Sequence, residues 1–307
     1  MSRLGLGLAA LGRPAYINLG RDRDLGEQRS VEALRGRTHR VLDAAYGRGV
    51  RYFDAARSYG QAEEFLASWL ASRALPPEEV TVGSKWGYEY TGGFRVDAEQ
   101  HEVKDLSAPT FRRQLAESRA LLGSHLDLYQ IHSVTIESGV LDDHDVFEAL
   151  AELRAAGVAV GLTVTGAGQR ATIERALEVE IFDAVQATWN LHERSAEGAL
   201  ARAHRAGMGV IVKEALANGR LTARGGNELL VAASSAADVP PDALALAAAL
   251  AQPWADVVLS GAATVDQLRS NLAALELDAA AVQDPRLGLL REDPGEYWSR
   301  RSALPWT

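Results

Sequence analysis

The chain has no cysteine among its 307 residues. This excludes disulfides, thiolate nucleophiles and cysteine-held zinc or iron–sulfur centres. Positive charge is also scarce. Its 32 Lys and Arg face 41 Asp and Glu, a net charge of −9. That argues against the basic face that non-specific nucleic-acid binding requires. No apolar run approaches the ~18 residues of a membrane span. The apolar start from Leu4 ends at Gly12-Arg13-Pro14, shorter than a secretory core and with no clear cleavage pattern. A cytoplasmic protein without nucleic-acid or membrane partners is expected. Six histidines, His39, His101, His125, His144, His192 and His204, show no metal-ligand spacing, so no metal site is expected.

The chain does have a strand–helix alternation. Apolar residues make up 47% and charged residues 24%, ordinary for a soluble enzyme. Strands are expected at 4–8, 50–54, 80–85, 127–132, 158–164, 183–187, 208–212 and 256–260. Helices are expected at 36–49, 61–73, 109–122, 144–156, 168–177, 193–206, 240–251 and 264–275. Runs such as Val80-Thr-Val and Gly209-Val-Ile-Val212 suit strands buried on both faces of a parallel sheet. Eight such units favour one closed (β/α)8 TIM barrel over residues 1–307, with an open doubly wound sheet as the alternative. Two segments fall outside the repeat. Residues 86–108 read as a long loop after the third strand, and 277–307 as a C-terminal tail. Their aromatics, Trp86, Tyr88, Tyr90, Tyr297, Trp298 and Trp306, are expected to fold over the barrel mouth.

Four residues sit at or just after strand ends: Asp54, Tyr59, Lys85 and His132. In consecutive parallel strands they would converge at the mouth. There an acid, a cation, a carboxylate and an imidazole can share one carbonyl. The stretch Phe53-Asp54-Ala-Ala-Arg-Ser-Tyr59-Gly60, with Leu4-Gly-Leu-Gly and Ser260-Gly-Ala-Ala-Thr-Val-Asp-Gln-Leu-Arg-Ser-Asn271, resembles the aldo-keto reductase superfamily over nearly the whole chain. The resemblance implies hydride transfer between a nicotinamide cofactor and a carbonyl or alcohol substrate. Such chemistry needs a proton for the developing alkoxide. Tyr59 is then the proton donor. A free tyrosine titrates near pH 10, and Lys85 is expected to lower that by roughly two to three units. Asp54 would hold Lys85, and His132 would orient the carbonyl.

The same resemblance implies a cofactor site. Thr163, Gln186 and Asn190 would hold the nicotinamide carboxamide. Leu216, Asn218, Ser260, Gly261 and Ala262 would line the pyrophosphate, where barrels of this kind commonly bind phosphate. Gln267 and Asn271 would reach the adenine side. Three departures stand out. The segment 260–264 has no cation for a 2′-phosphate, so NADP is expected with NAD as the alternative. Lys213 takes the place of an aromatic that stacks on the nicotinamide, and Lys213–Glu214 reads as a buried ion pair or a substrate contact. No hairpin precedes the first strand. Two other functions fit parts of the pattern: a Schiff-base lyase using Lys213 or Lys85, and a nicotinamide-binding regulatory module similar to potassium-channel β subunits. The substrate and the oligomeric state are not legible. The aromatics suggest an aryl, quinone-like or sugar carbonyl.

Overall fold

The computed structural model describes residues 2–307. Ten strands occur: β1 (Leu4–Gly7), β2 (Tyr52–Asp54), β3 (Thr81–Trp86), β4 (Tyr88–Tyr90), β5 (Glu102–Lys104), β6 (Leu126–Val134), β7 (Ala159–Val164), β8 (Ala184–Thr188), β9 (Gly209–Lys213) and β10 (Val257–Ser260). Eight of them close a barrel in the order β1-β10-β9-β8-β7-β6-β3-β2, and all neighbours in it run parallel. A helix follows each barrel strand, so the chain is a (β/α)8 barrel.

The helices form where the sequence supplies a cap and an apolar stripe. In Val31–Tyr46 the Ser30 side chain accepts from the Ala33 N–H at 3.2 Å. Leu34, Thr38, Val41, Leu42 and Ala45 are its buried face, at helical spacing. Thr264 caps Val265–Leu272 in the same way, accepting from Gln267.

Within the barrel, period-two alternation sends one side chain inward and the next toward the helices. Tyr52, Leu128, Ala184, Ile211 and Leu259 fill the floor as one apolar layer. Glycines make room for the largest of them. A Cβ on Gly83 would collide with the Tyr52 hydroxyl, and one on Gly5 would lie 3.0 Å from the Tyr52 ring.

The two irregular segments have structure of their own. Residues 86–108 contain the antiparallel pair β4–β5. Trp86 does not cover the mouth. Lys85 points inward, so its neighbour Trp86 points outward and packs on Phe111 with ring centroids 5.1 Å apart. The tail holds helix Pro294–Ser302. Its Tyr297 and Trp298 join a second apolar cluster with Leu191, Leu221 and Leu230, beside the barrel. Trp306 reaches the mouth, stacked on His101 at 4.3 Å. Among the described residues no single helix is long and apolar enough to cross a membrane.

Candidate active site

Asp54 ends β2 and is 2% exposed. Three donors converge on it. Lys85 Nζ, from β3, donates to Oδ1. Gln186 Nε2, from β8, donates to Oδ2 at 2.9 Å. Tyr52, in the floor layer below, donates its hydroxyl to Oδ2 at 3.3 Å. Lys85 also donates to the Ala55 carbonyl at 2.8 Å. A buried carboxylate so supplied is a fixed anchor for the ammonium.

Tyr59 lies in the turn after β2. Lys85 Nζ stands over its ring, 4.9 Å from the centroid. His132, from β6, meets the Tyr59 ring edge-on at 5.5 Å and the Tyr88 ring at 5.1 Å. Ser58 Oγ lies 3.4 Å from His132 Nδ1. Asp54, Tyr59, Lys85 and His132 are thus brought together.

The protonation states differ from the expectation in one respect. Burial, then the Asp54 carboxylate, pushes the Tyr59 phenol well above its usual value. The expected net depression is not found, because burial dominates at this site. Burial, then Lys85, holds His132 well below the ordinary histidine value, so its imidazole is neutral. Burial lowers Lys85 as well, against the pull of Asp54.

The tetrad opens into a cavity of about 880 Å³. Of the other residues singled out in the sequence, Gln186, Lys213, Leu216, Asn218, Ser260, Gly261, Ala262, Gln267 and Asn271 line it. Thr163 and Asn190 are not among its lining residues. Thr163 Oγ1 accepts from the Ser133 N–H at 2.7 Å, and it is Ser133 that lines the cavity. Asn190 is used up in a turn: its Oδ1 accepts from the N–H groups of His192 and Glu193, and its Nδ2 donates to the Glu214 carbonyl and the Tyr297 hydroxyl.

Lys213 and Glu214 do not pair with each other. Arg301, from the tail helix, takes the Glu214 carboxylate, with Nη2 to Oε1 at 2.6 Å. Burial pushes Glu214 up, but Arg301 and then Lys213 outweigh it and hold the carboxyl at about 2. Burial pulls the Lys213 ammonium down to about 8, with Glu214 opposing. The backbone is strained beside both inward groups. Ser133 (φ 56°) follows His132, and Glu214 (φ 54°) follows Lys213. Left-handed non-glycine residues cost energy and cluster at functional sites.

The far end of the cavity has the features of an anion-binding cradle. Gly261 leaves open space where a Cβ would stand. Helix Val265–Leu272 points its N-terminus there, which favours anions. Gln267 Oε1 fastens the loop by accepting from the Ala263 N–H at 2.8 Å. Two carboxylates, Asp242 and Asp266, also line this cavity. Sequence reading missed Arg13, Tyr16, Ser133, Asp242 and Arg301, which reach the cavity from the loop after β1, the end of β6, the helix Pro241–Leu250 and the tail helix. No local signal marks them, since long-range packing alone brings them in.

Comparison with known proteins agrees with this geometry. The sequence profile of the Aldo/keto reductase family matches residues 3–284. An NADH-specific methylglyoxal reductase of Escherichia coli (strain K12) is 28% identical over 327 residues, 95% of this chain and 94% of that protein. A pyridoxal 4-dehydrogenase of Microbacterium luteolum is 26% identical, covering 90% of each chain. In structure, the holo form of an aldo-keto reductase from Bacillus halodurans superposes with a TM-score of 0.73 at 23% identity, over 95% of this chain and 93% of that one. The last likeness speaks for the fold; the family profile, matched nearly end to end, places the chain in the aldo/keto reductase family as an NAD(P)H-dependent oxidoreductase of small carbonyl substrates.

Proposed function

We propose that Tyr59 is the proton donor of a carbonyl reductase whose oxygen-binding site is formed by Tyr59 and His132. The supporting observation is the buried set of Asp54, Lys85, Tyr59 and His132 at one end of the cavity. A bound nicotinamide cofactor supplies the hydride. Tyr59, kept protonated by burial, holds its proton until an alkoxide-strength base develops against it. Neutral His132 orients the carbonyl oxygen. Lys85 brings a positive charge beside the phenol, and that charge stabilises the phenolate left behind. Asp54 positions Lys85. Gln186 is then a positioning residue for Asp54 as well as a wall of the cofactor site.

We further propose that NADH is accepted, either alone or beside NADPH. A 2′-phosphate needs a cation. Arg224, which lines the cavity, is tied to Asp24 at 2.9 Å through Nη1. Arg269 lies 3.4 Å from Asp266. The Asp242 and Asp266 carboxylates suit a ribose hydroxyl better than a phosphate. Parallel fluorescence titrations with NADH and NADPH, followed by a carbonyl panel, test both points. NADH is expected to bind within about a hundredfold of NADPH or more tightly, the span of roughly one to two charge-assisted hydrogen bonds. A preference for NADPH above about a thousandfold would show that a basic residue reaches the phosphate.

A further inference from the structure

We infer that the substrate carries a carboxylate close to its carbonyl and that Arg13 receives it. The inference rests on the proposed reduction site and names its substrate class.

Arg13 is 2% exposed yet lines the cavity beside Tyr59. Two close backbone approaches fix it there. The loop after β1 and the turn after β2 touch at Gly12 and Gly60. A Cβ on Gly60 would lie 2.5 Å from the Gly12 carbonyl, and the Gln61 N–H donates to that carbonyl at 2.7 Å. The guanidinium is flanked by three rings, with Cζ 4.9 Å from the centroid of Tyr16, 5.2 Å from Tyr59 and 4.7 Å from Trp306.

Only one corner of this guanidinium is used. Nη1 donates to the Ser58 carbonyl at 3.1 Å and to Glu102 at 2.8 Å. Nε is buried without a partner, and among the described residues Nη2 makes no hydrogen bond. Nη2 is therefore the donor left for a carboxylate in the cavity. A buried guanidinium with donors unmet is costly.

The charge balance points the same way. Among the described residues, the arginines that line the cavity are each answered by a carboxylate: Arg13 by Glu102, Arg224 by Asp24 and Arg301 by Glu214. Lys213 lines the cavity with no carboxylate within 4.0 Å, because Glu214 is held by Arg301. Among the described residues that line the cavity, Lys213 is thus the cation without an ion-pair partner. Because Arg13 stands directly beside Tyr59, the anion and the carbonyl belong to one small molecule with a short spacer.

The test uses the full chain with NADH and two matched pairs: 4-carboxybenzaldehyde against its methyl ester, and succinic semialdehyde against its methyl ester. The acid of at least one pair is expected to exceed its ester in kcat/KM by about tenfold or more, the scale of one charge-assisted hydrogen bond. In Arg13→Met the ratio should collapse to about one or below, and Arg13→Lys should retain part of it. Calorimetric binding of 4-carboxybenzyl alcohol to the wild type should weaken in parallel. Equal use of acid and ester by the wild type, or an undiminished ratio in Arg13→Met, overturns the inference. If Arg13→Met does not fold, the wild-type ratios decide. Turnover without acid preference leaves the proposed function standing. Turnover of neither pair, with NADH still bound, sinks both.

Discussion

The floor and the mouth of the barrel are built from the same strands two residues apart. On β2, Tyr52 gives way to Asp54; on β8, Ala184 to Gln186; on β9, Ile211 to Lys213. All six point inward, because the strand period is two. Below, the layer is apolar and interlocks with glycines. Above, it holds buried charges that are costly unless paired. Stability is concentrated in one layer and reactivity in the next. The Tyr52 hydroxyl links them by donating to Asp54.

The largest expected effect belongs to the mouth alone. Tyr59→Phe should lower kcat for carbonyl reduction by roughly 10²–10⁴, and Lys85→Met by a similar factor. NADH affinity, followed by fluorescence, should stay within a few-fold in Tyr59→Phe. A Phe variant with most of its kcat would remove Tyr59 from its role.

Next come changes that test the link between layers. Asp54→Ala strands the Lys85 charge, and chemical denaturation should show a loss of about 3–5 kcal/mol. Gly83→Ala drives a methyl into the Tyr52 hydroxyl, for about 1–3 kcal/mol. Adding Tyr52→Phe to that variant should restore part of the loss. If it restores none, the two layers are not coupled through this hydroxyl.

A third test concerns pH. Burial brings the Lys213 ammonium down to about 8 in the fold, against an ordinary lysine value of 10.5. Below pH 8 the buried charge destabilises the protein. Between 8 and 10.5 the unfolded chain binds more protons, so this cost fades as pH rises. Lys213→Met should therefore stabilise at pH 7, by up to about 3 kcal/mol. The gain should shrink toward zero by about pH 10.5 in melting curves. A gain that does not change with pH would place the lysine in water. Tyr59 and His132 should add no inflection to kcat between about pH 6.5 and 10, because one is shifted up and the other down from those values.

The smallest effect concerns the far end of the cavity. Ala263→Arg should move the NADPH-to-NADH affinity ratio up by about tenfold if that loop faces the ribose. An unchanged ratio would place the ribose elsewhere.

Much of this was legible in the sequence, for physical reasons. The apolar runs and helical stripes mark all eight barrel strands to within two residues and a helix after each, but Val31–Tyr46 begins five residues before the expected 36 and Glu228–Ala236 was not expected. Asp54, Lys85 and His132 were visible because strand ends are where a parallel barrel gathers side chains. The rest depended on contacts between distant segments. Trp86 was misplaced because a one-residue step reverses its face. Thr163 and Asn190 look like ligands by type, but their hydrogen bonds are taken by backbone and by Tyr297. Of the two readings of Lys213–Glu214, the ion pair is not formed, because its competitor, Arg301, is 87 residues further along; both residues do line the cavity. The direction of the Tyr59 shift was missed because burial depth is not written in a motif.

The Arg301–Glu214 clasp also has a temporal side. A ribosome delivers the barrel strands in order, and β10 emerges before helix Pro294–Ser302. During that interval the nascent barrel carries Glu214 without its arginine and Arg13 without its Trp306 wall. The clasp and the Trp306 wall can form only after every barrel strand has been made. A chain stalled short of that helix would lack both, and would also leave the apolar partners of Tyr297 and Trp298 uncovered, the kind of exposed surface that chaperones attend.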